Sequence, residues 1–215
     1  MKAVLAEAIG TALLLAGVVG SGIMGERLAQ GNIAIALLAN SLATGFVLIA
    51  LIAAIAPRSG AHFNPVVTLA FALRRGFPWG QVTPYLIAQF IGGLVGMLLA
   101  HAMFDLPLLQ SSPTMRTGSG QWISECVATF GLVFVVLSCG RDRPWSSPVA
   151  VGAYIAAAYW FTASTSFANP AVTLARGFTA TFSGIEPSGI PAFVLAQLAG
   201  AGFALWADQA SSTRG

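Results

Sequence analysis

Two Asn-Pro dipeptides carry the chemistry that is easiest to read in this chain. Each heads a short apolar stretch, Asn64-Pro65-Val66-Val67-Thr68-Leu69-Ala70 and Asn169-Pro170-Ala171-Val172-Thr173-Leu174-Ala175. Asn caps helix starts, and Pro suits the first helical turn because the N–H it lacks would have no partner there. The stretches, Asn64–Leu73 and Asn169–Thr179, are too short to cross a bilayer core of about 30 Å. A helix that begins at membrane depth leaves its first N–H groups unpaired, so it persists only inside protein or beside a wet cavity. Two such segments imply a pore where two positive helix ends converge and two Asn amides donate to whatever passes. Cations and hopping protons meet a barrier there; neutral hydrogen-bonding solutes do not.

Long apolar runs must position this pair. Six are of near-membrane length: Ala3–Met24, Ile33–Ala56, Thr83–Met103, Gln121–Cys139, Pro148–Phe161 with fraying beyond it, and Pro191–Ala207. The first, after Met1-Lys2, is too long for the apolar core of a signal peptide. Seven basic residues fall on the N-terminal side (Lys2, Arg58, Arg74, Arg75, Arg141, Arg143, Arg214) and three on the other (Arg27, Arg116, Arg176), which makes both termini cytoplasmic.

The halves repeat. Glu7-Ala8-Ile9-Gly10-Thr11 answers Glu125-Cys126-Val127-Ala128-Thr129, and Ala88-Gln89 before Gly92 answers Ala196-Gln197 before Gly200. Three spans per copy force the second copy into the membrane from the opposite face. The expectation is an all-α membrane protein, a single channel domain over 1–215 with inverted repeats at about 1–110 and 118–210, six transmembrane helices and two re-entrant half-helices.

Composition agrees. The chain has 215 residues, 56% hydrophobic and 8% charged, with a mean hydropathy of +0.80. Its formal charge of +3 is not gathered into a basic stripe, so nucleic-acid binding is set aside. His62 and His101 lie far apart with no Cys, Asp or Glu at ligand spacing, so neither a metal site nor a cofactor is expected. Cys126 and Cys139, in one helical run, stand too far apart to pair. No nucleophile, base and orienting acid come together, so an enzyme is not expected.

Ser59-Gly60-Ala61-His62-Phe63-Asn64-Pro65 and Phe167-Ala168-Asn169-Pro170-Ala171, with Glu7-x-x-Gly10-Thr11, resemble the signatures of the aquaporin (major intrinsic protein) family over nearly the whole chain. The resemblance implies the hourglass fold, one pore per subunit and a homotetramer in the lipid bilayer. It also places the imidazole of His62 on the pore near the cytoplasmic mouth, against the alternative of a satisfied core histidine. Glu7 and Glu125, acids inside apolar helices, could form a proton relay. Their symmetric placement favours a structural role, bracing the loop that feeds each half-helix. His101 is expected at the membrane interface, and glycines 92, 93, 96, 200 and 202 at close helix contacts.

One departure bears on selectivity. Most family members carry Arg directly after the second Asn-Pro-Ala, where this chain has Val172. Counting from the Asn residues assigns the rest of the filter to Thr44, Ala157 and Ser166, all small and uncharged. A wide filter without Arg suits neutral solutes larger than water: glycerol-sized polyols and metalloid hydroxides such as arsenous acid, as well as water itself. The wording Asn-Pro-Ala-Val-Thr-Leu-Ala-Arg resembles a bacterial branch associated with arsenic handling, which implies a bacterial inner membrane. Arg176, one turn beyond Val172, either lines the external vestibule or snorkels to the interface. The rival functions are a water-selective pore, a secondary transporter and a closed-pore junction protein.

Overall fold

In the computed structural model residues 1–142 and 146–212 are described; Arg143 and Arg214, counted above among the cytoplasmic charges, lie outside them. The described residues form α1 (Lys2–Leu28), α2 (Ile33–Ser59), α3 (Pro65–Leu73), α4 (Trp79–Met103), α5 (Ser119–Asp142), α6 (Ser147–Phe161), α7 (Pro170–Arg176) and α8 (Ile190–Ser212), with no strand. Five helices are long and apolar enough to span a membrane, and α6 is a shorter apolar helix of 15 residues. α6 ends at Phe161, where Thr162 is extended and a turn at 163–164 leads into the loop before α7.

The two halves pack alike. α1 lies against α4 and α2, while α5 lies against α8 and α6, and α2 meets α6 between the halves. Glycine permits the closest approaches: a Cβ on Gly92 would stand 2.3 Å from the carbonyl oxygen of Ala8, and one on Gly200 would stand 2.2 Å from that of Cys126. Ala8 and Cys126 each follow the helix-borne glutamate of their half. Gly93 and Gly96 are also close-packed, but Gly202 has nothing within 4 Å, so the packing expected of it is absent. Large apolar side chains such as Leu5, Phe46, Leu195 and Trp206 remain exposed on the outer surface, as a lipid-facing bundle requires.

Both Asn-Pro segments are capped half-helices. Asn64 Oδ1 accepts from Val66 N, and Asn169 Oδ1 from Ala171 N and Val172 N. α7 stops at Arg176 rather than Thr179: the N–H groups of Gly177 and Phe178 tighten to the carbonyls three residues back, Leu174 and Ala175, and the Arg176 carbonyl is taken by Ile185 N. His101 is not interfacial. It is fully buried, with Nδ1 2.8 Å from the Leu108 carbonyl and Nε2 2.7 Å from Thr179 Oγ1, and so ties the end of α4 to the chain on both sides.

Candidate pore and its lining

The loops before α3 and α7 share one unusual backbone. The third and first residues before each Asn, Ala61 and Phe63 in one and Ser166 and Ala168 in the other, have φ between 48° and 52°. Non-glycine residues in this region store strain of about 1–3 kcal/mol each, which the surroundings must overrule. Glutamates do so. Glu7 accepts from Ser59 Oγ and His62 N at Oε1, and from Phe63 N and Gln89 Nε2 at Oε2, at 2.6–3.0 Å. Glu125 accepts from Phe167 N at Oε1, and from Ala168 N and Gln197 Nε2 at Oε2, at 2.6–2.9 Å. Gln89 and Gln197, which sequence reasoning left without a role, also donate to Thr68 and Thr173 on the half-helices. The Ala-Gln pair repeated in both halves was the available signal.

The loops are stitched together. Asn64 Nδ2 donates to the Ala168 carbonyl and Asn169 Nδ2 to the Phe63 carbonyl, both at 2.8 Å. Each amide has a second N–H, and both Asn residues line a cavity of about 580 Å³.

That cavity also meets Thr44, His62, Ser166, Val172 and Arg176. Much of its remaining wall is apolar, with Leu48, Ile52, Val67, Leu132, Val151 and Ile155. His62 stacks on Phe71 at 4.8 Å between ring centroids, and its Nδ1 lies 3.1 Å from Thr68 Oγ1.

Two expectations about the filter need correction. Ala157 is exposed on the far side of α6 and does not reach the cavity; Val151, Ile155 and Tyr159 line it instead. At about 100° per residue, 157 points nearly opposite to both 155 and 159. Counting back from Asn169 assumed a register that α6 does not keep. Tyr159, two residues further on, sets its hydroxyl 3.2 Å from that of Thr44.

Nor is the lining uncharged. Arg176 is 1% exposed, which rules out snorkelling to an interface. A helical side chain leans toward the helix N-terminus, so a long residue one turn beyond Val172 reaches back toward the level of Val172. The Arg176 Cζ stands 3.4 Å from the ring centroid of Phe167, and Nε donates to the Ser183 carbonyl. Arg116, from the chain between α4 and α5, lies 5.2 Å from the same ring and donates to the carbonyls of Gly184 and Ser164.

Comparison with known proteins places this geometry. The profile of the family named "Major intrinsic protein" matches residues 1–163, a range that ends before the second Asn-Pro segment. The chain is 55% identical over 200 residues to "Aquaglyceroporin AqpS" of Rhizobium meliloti (strain 1021), covering 93% of this chain and 85% of that one. It is 35% identical over 149 residues to "Aquaporin NIP2-1" of Zea mays, covering 66% of this chain but only 48% of the plant protein. In fold it resembles the X-ray structure of the aquaglyceroporin from Plasmodium falciparum, with a TM-score of 0.74 at 18% identity, covering 95% of this chain and 93% of that one.

Proposed function

This chain belongs to the major intrinsic protein family, and from that premise we propose that its cavity passes glycerol-sized polyols and undissociated metalloid hydroxides such as arsenous acid, together with water. Members of this family are channels and not enzymes, and the chain is an integral membrane protein for small neutral solutes of the water and glycerol type.

One observation carries the cargo reading: Arg176, Tyr159, Thr44 and Ser166 bring hydrogen-bonding groups to the cavity beside Val172. An aromatic residue with an arginine is the pairing that the family resemblance attaches to glycerol channels. Here both arrive from displaced positions, two residues after Ala157 and four after Val172. Such a lining can hold the hydroxyls of a triol or of a trihydroxylated metalloid while its aliphatic face or lone pair rests on Val172. The apolar wall beyond gives an ion nothing in exchange for its hydration shell.

The channel is read as one domain over residues 1–215, with both termini cytoplasmic and the α7 end of the cavity outside, in a bacterial inner membrane and as a homotetramer. Stopped-flow light scattering on proteoliposomes, comparing water, glycerol, urea and arsenite, tests the cargo. Glycerol and arsenite permeabilities above the lipid background are expected. Water flux with both at background would return this chain to the water channels, and solute movement that requires a proton gradient would favour a transporter.

A further inference from the structure

Arg176 heads the large side chains that are fully buried, and a buried cation is costly unless a charge or hydrogen bonds answer it. Its Nε is committed to the Ser183 carbonyl and its plane to Phe167, but Nη1 has no hydrogen-bond partner in the protein. No carboxylate among the described residues forms an ion pair with it. Among the described residues Arg74 pairs with Asp208, away from this cavity. Glu125, the acid beneath, spends its oxygens on Phe167 N, Ala168 N and Gln197 Nε2. Arg116 adds a second guanidinium on the same Phe167 ring, so two cations face one carboxylate. Ser166 Oγ, on a residue 2% exposed, likewise has no partner, and Ser166 lines the same cavity.

We propose that the α7 end of the cavity is a reversible binding site for a small, planar, monovalent oxyanion, held by Arg176 Nη1 and the Ser166 hydroxyl, and that its occupancy plugs the pore against neutral solutes. The proposal rests on the channel reading above for its consequence, though not for the binding itself. The guanidinium offers a charge-assisted donor to an anion, and the Ser166 hydroxyl is a second unpaired donor on a residue of the same lining. The surplus positive charge favours an anion over a neutral solute at these atoms. Passage is another matter, because beyond the arginine an anion meets the neutral amides of Asn64 and Asn169 and an apolar wall that includes Leu48, Ile52 and Val67, with no second guanidinium among the described residues of the lining to replace Arg176. The anion therefore dwells and blocks instead of permeating.

Nitrate is the probe. Proteoliposomes carry sodium nitrate or sodium gluconate on both sides at equal osmolarity, gluconate being too bulky to enter. The glycerol permeability of the wild type should fall about fivefold when nitrate stands at roughly four times its dissociation constant, as mass action requires. In Arg176→Gln the nitrate-to-gluconate permeability ratio should be unity. Equal wild-type rates in the two salts, or an unchanged ratio in Arg176→Gln, would overturn the proposal. If the wild type passes no glycerol even in gluconate, the channel reading has failed, and calorimetric titration of the purified protein with sodium nitrate decides the site. Binding heat present in the wild type and lost in Arg176→Gln upholds it, and no heat in the wild type removes it.

Discussion

The hydroxyls of Thr44 and Tyr159 lie 3.2 Å apart and join α2 of the first half to α6 of the second at the cavity wall. Tyr159→Phe keeps the ring and loses this bond, at a net cost of about 0.5–1.5 kcal/mol, and should alter solute ratios little. Tyr159→Ala removes the aromatic wall and should raise urea and glycerol permeability relative to water. Ala157→Leu, on the exposed side of α6, should leave the ratios alone. Stopped-flow ratios that respond to Ala157→Leu and ignore Tyr159→Ala would restore the register obtained by counting.

Arg176 and Val172 are coupled through one helix face, four residues apart. Val172→Arg by itself would bring a third guanidinium toward the level that Arg176 already reaches, where Arg116 also stands on Phe167. It should therefore lose most solute flux. The exchange Val172→Arg with Arg176→Val returns the count to two, which relieves that repulsion, and should recover water flux well above the single variant. Equal flux in the single and exchanged variants would show that Arg176 does not act at that level.

Most of the bundle was legible because burial in lipid writes long apolar runs, and Asn-Pro marks a helix start by local chemistry alone. The repeated Glu7 and Glu125 pointed to the loops they hold. What counting missed was rotation and reach. Ala157 and Tyr159 differ by two residues, which on a helix is nearly the difference between opposite faces. Arg176 was ambiguous because a flexible four-bond side chain can end at the interface or one turn back, and only Phe167 and the Ser183 carbonyl decide it. His101 sits near the end of its span, which suggested water, but the Leu108 carbonyl, from the chain just past α4, and Thr179, from far along the sequence, fold over it.

The two glutamates should respond unequally to amidation. Both oxygens of Glu7 accept two donors each, so a Gln amide must face two of them, whichever way it turns. Oε1 of Glu125 accepts from Phe167 N alone, so a Gln amide there opposes one donor. With about 1–3 kcal/mol for each buried donor left unpaired, Glu7→Gln should lower the unfolding midpoint in detergent more than Glu125→Gln. The reverse order would mean that other contacts govern loop stability.

The reciprocal bonds between Asn64 and Ala168 and between Asn169 and Phe63 predict matched effects at the two half-helices. In Asn64→Asp the capping oxygen survives, so α3 keeps its start, but the group facing the Ala168 carbonyl changes from a donor to a carboxylate oxygen. The lost bond and the repulsion should destabilise the fold by about 1–3 kcal/mol, and Asn169→Asp should do the same through Phe63. Function should change more than stability. A carboxylate where two positive helix ends converge cancels part of the barrier to cations, so both variants should leak protons or sodium while the wild type does not. A pH-sensitive dye trapped in proteoliposomes under a potassium diffusion potential reads the leak directly. Because the two bonds are equivalent in length and burial, a leak confined to one variant would mean that only one Asn faces the path. No leak in either, with glycerol flux intact, would move the ion barrier away from the Asn pair, leaving Arg176 as the group that supplies it.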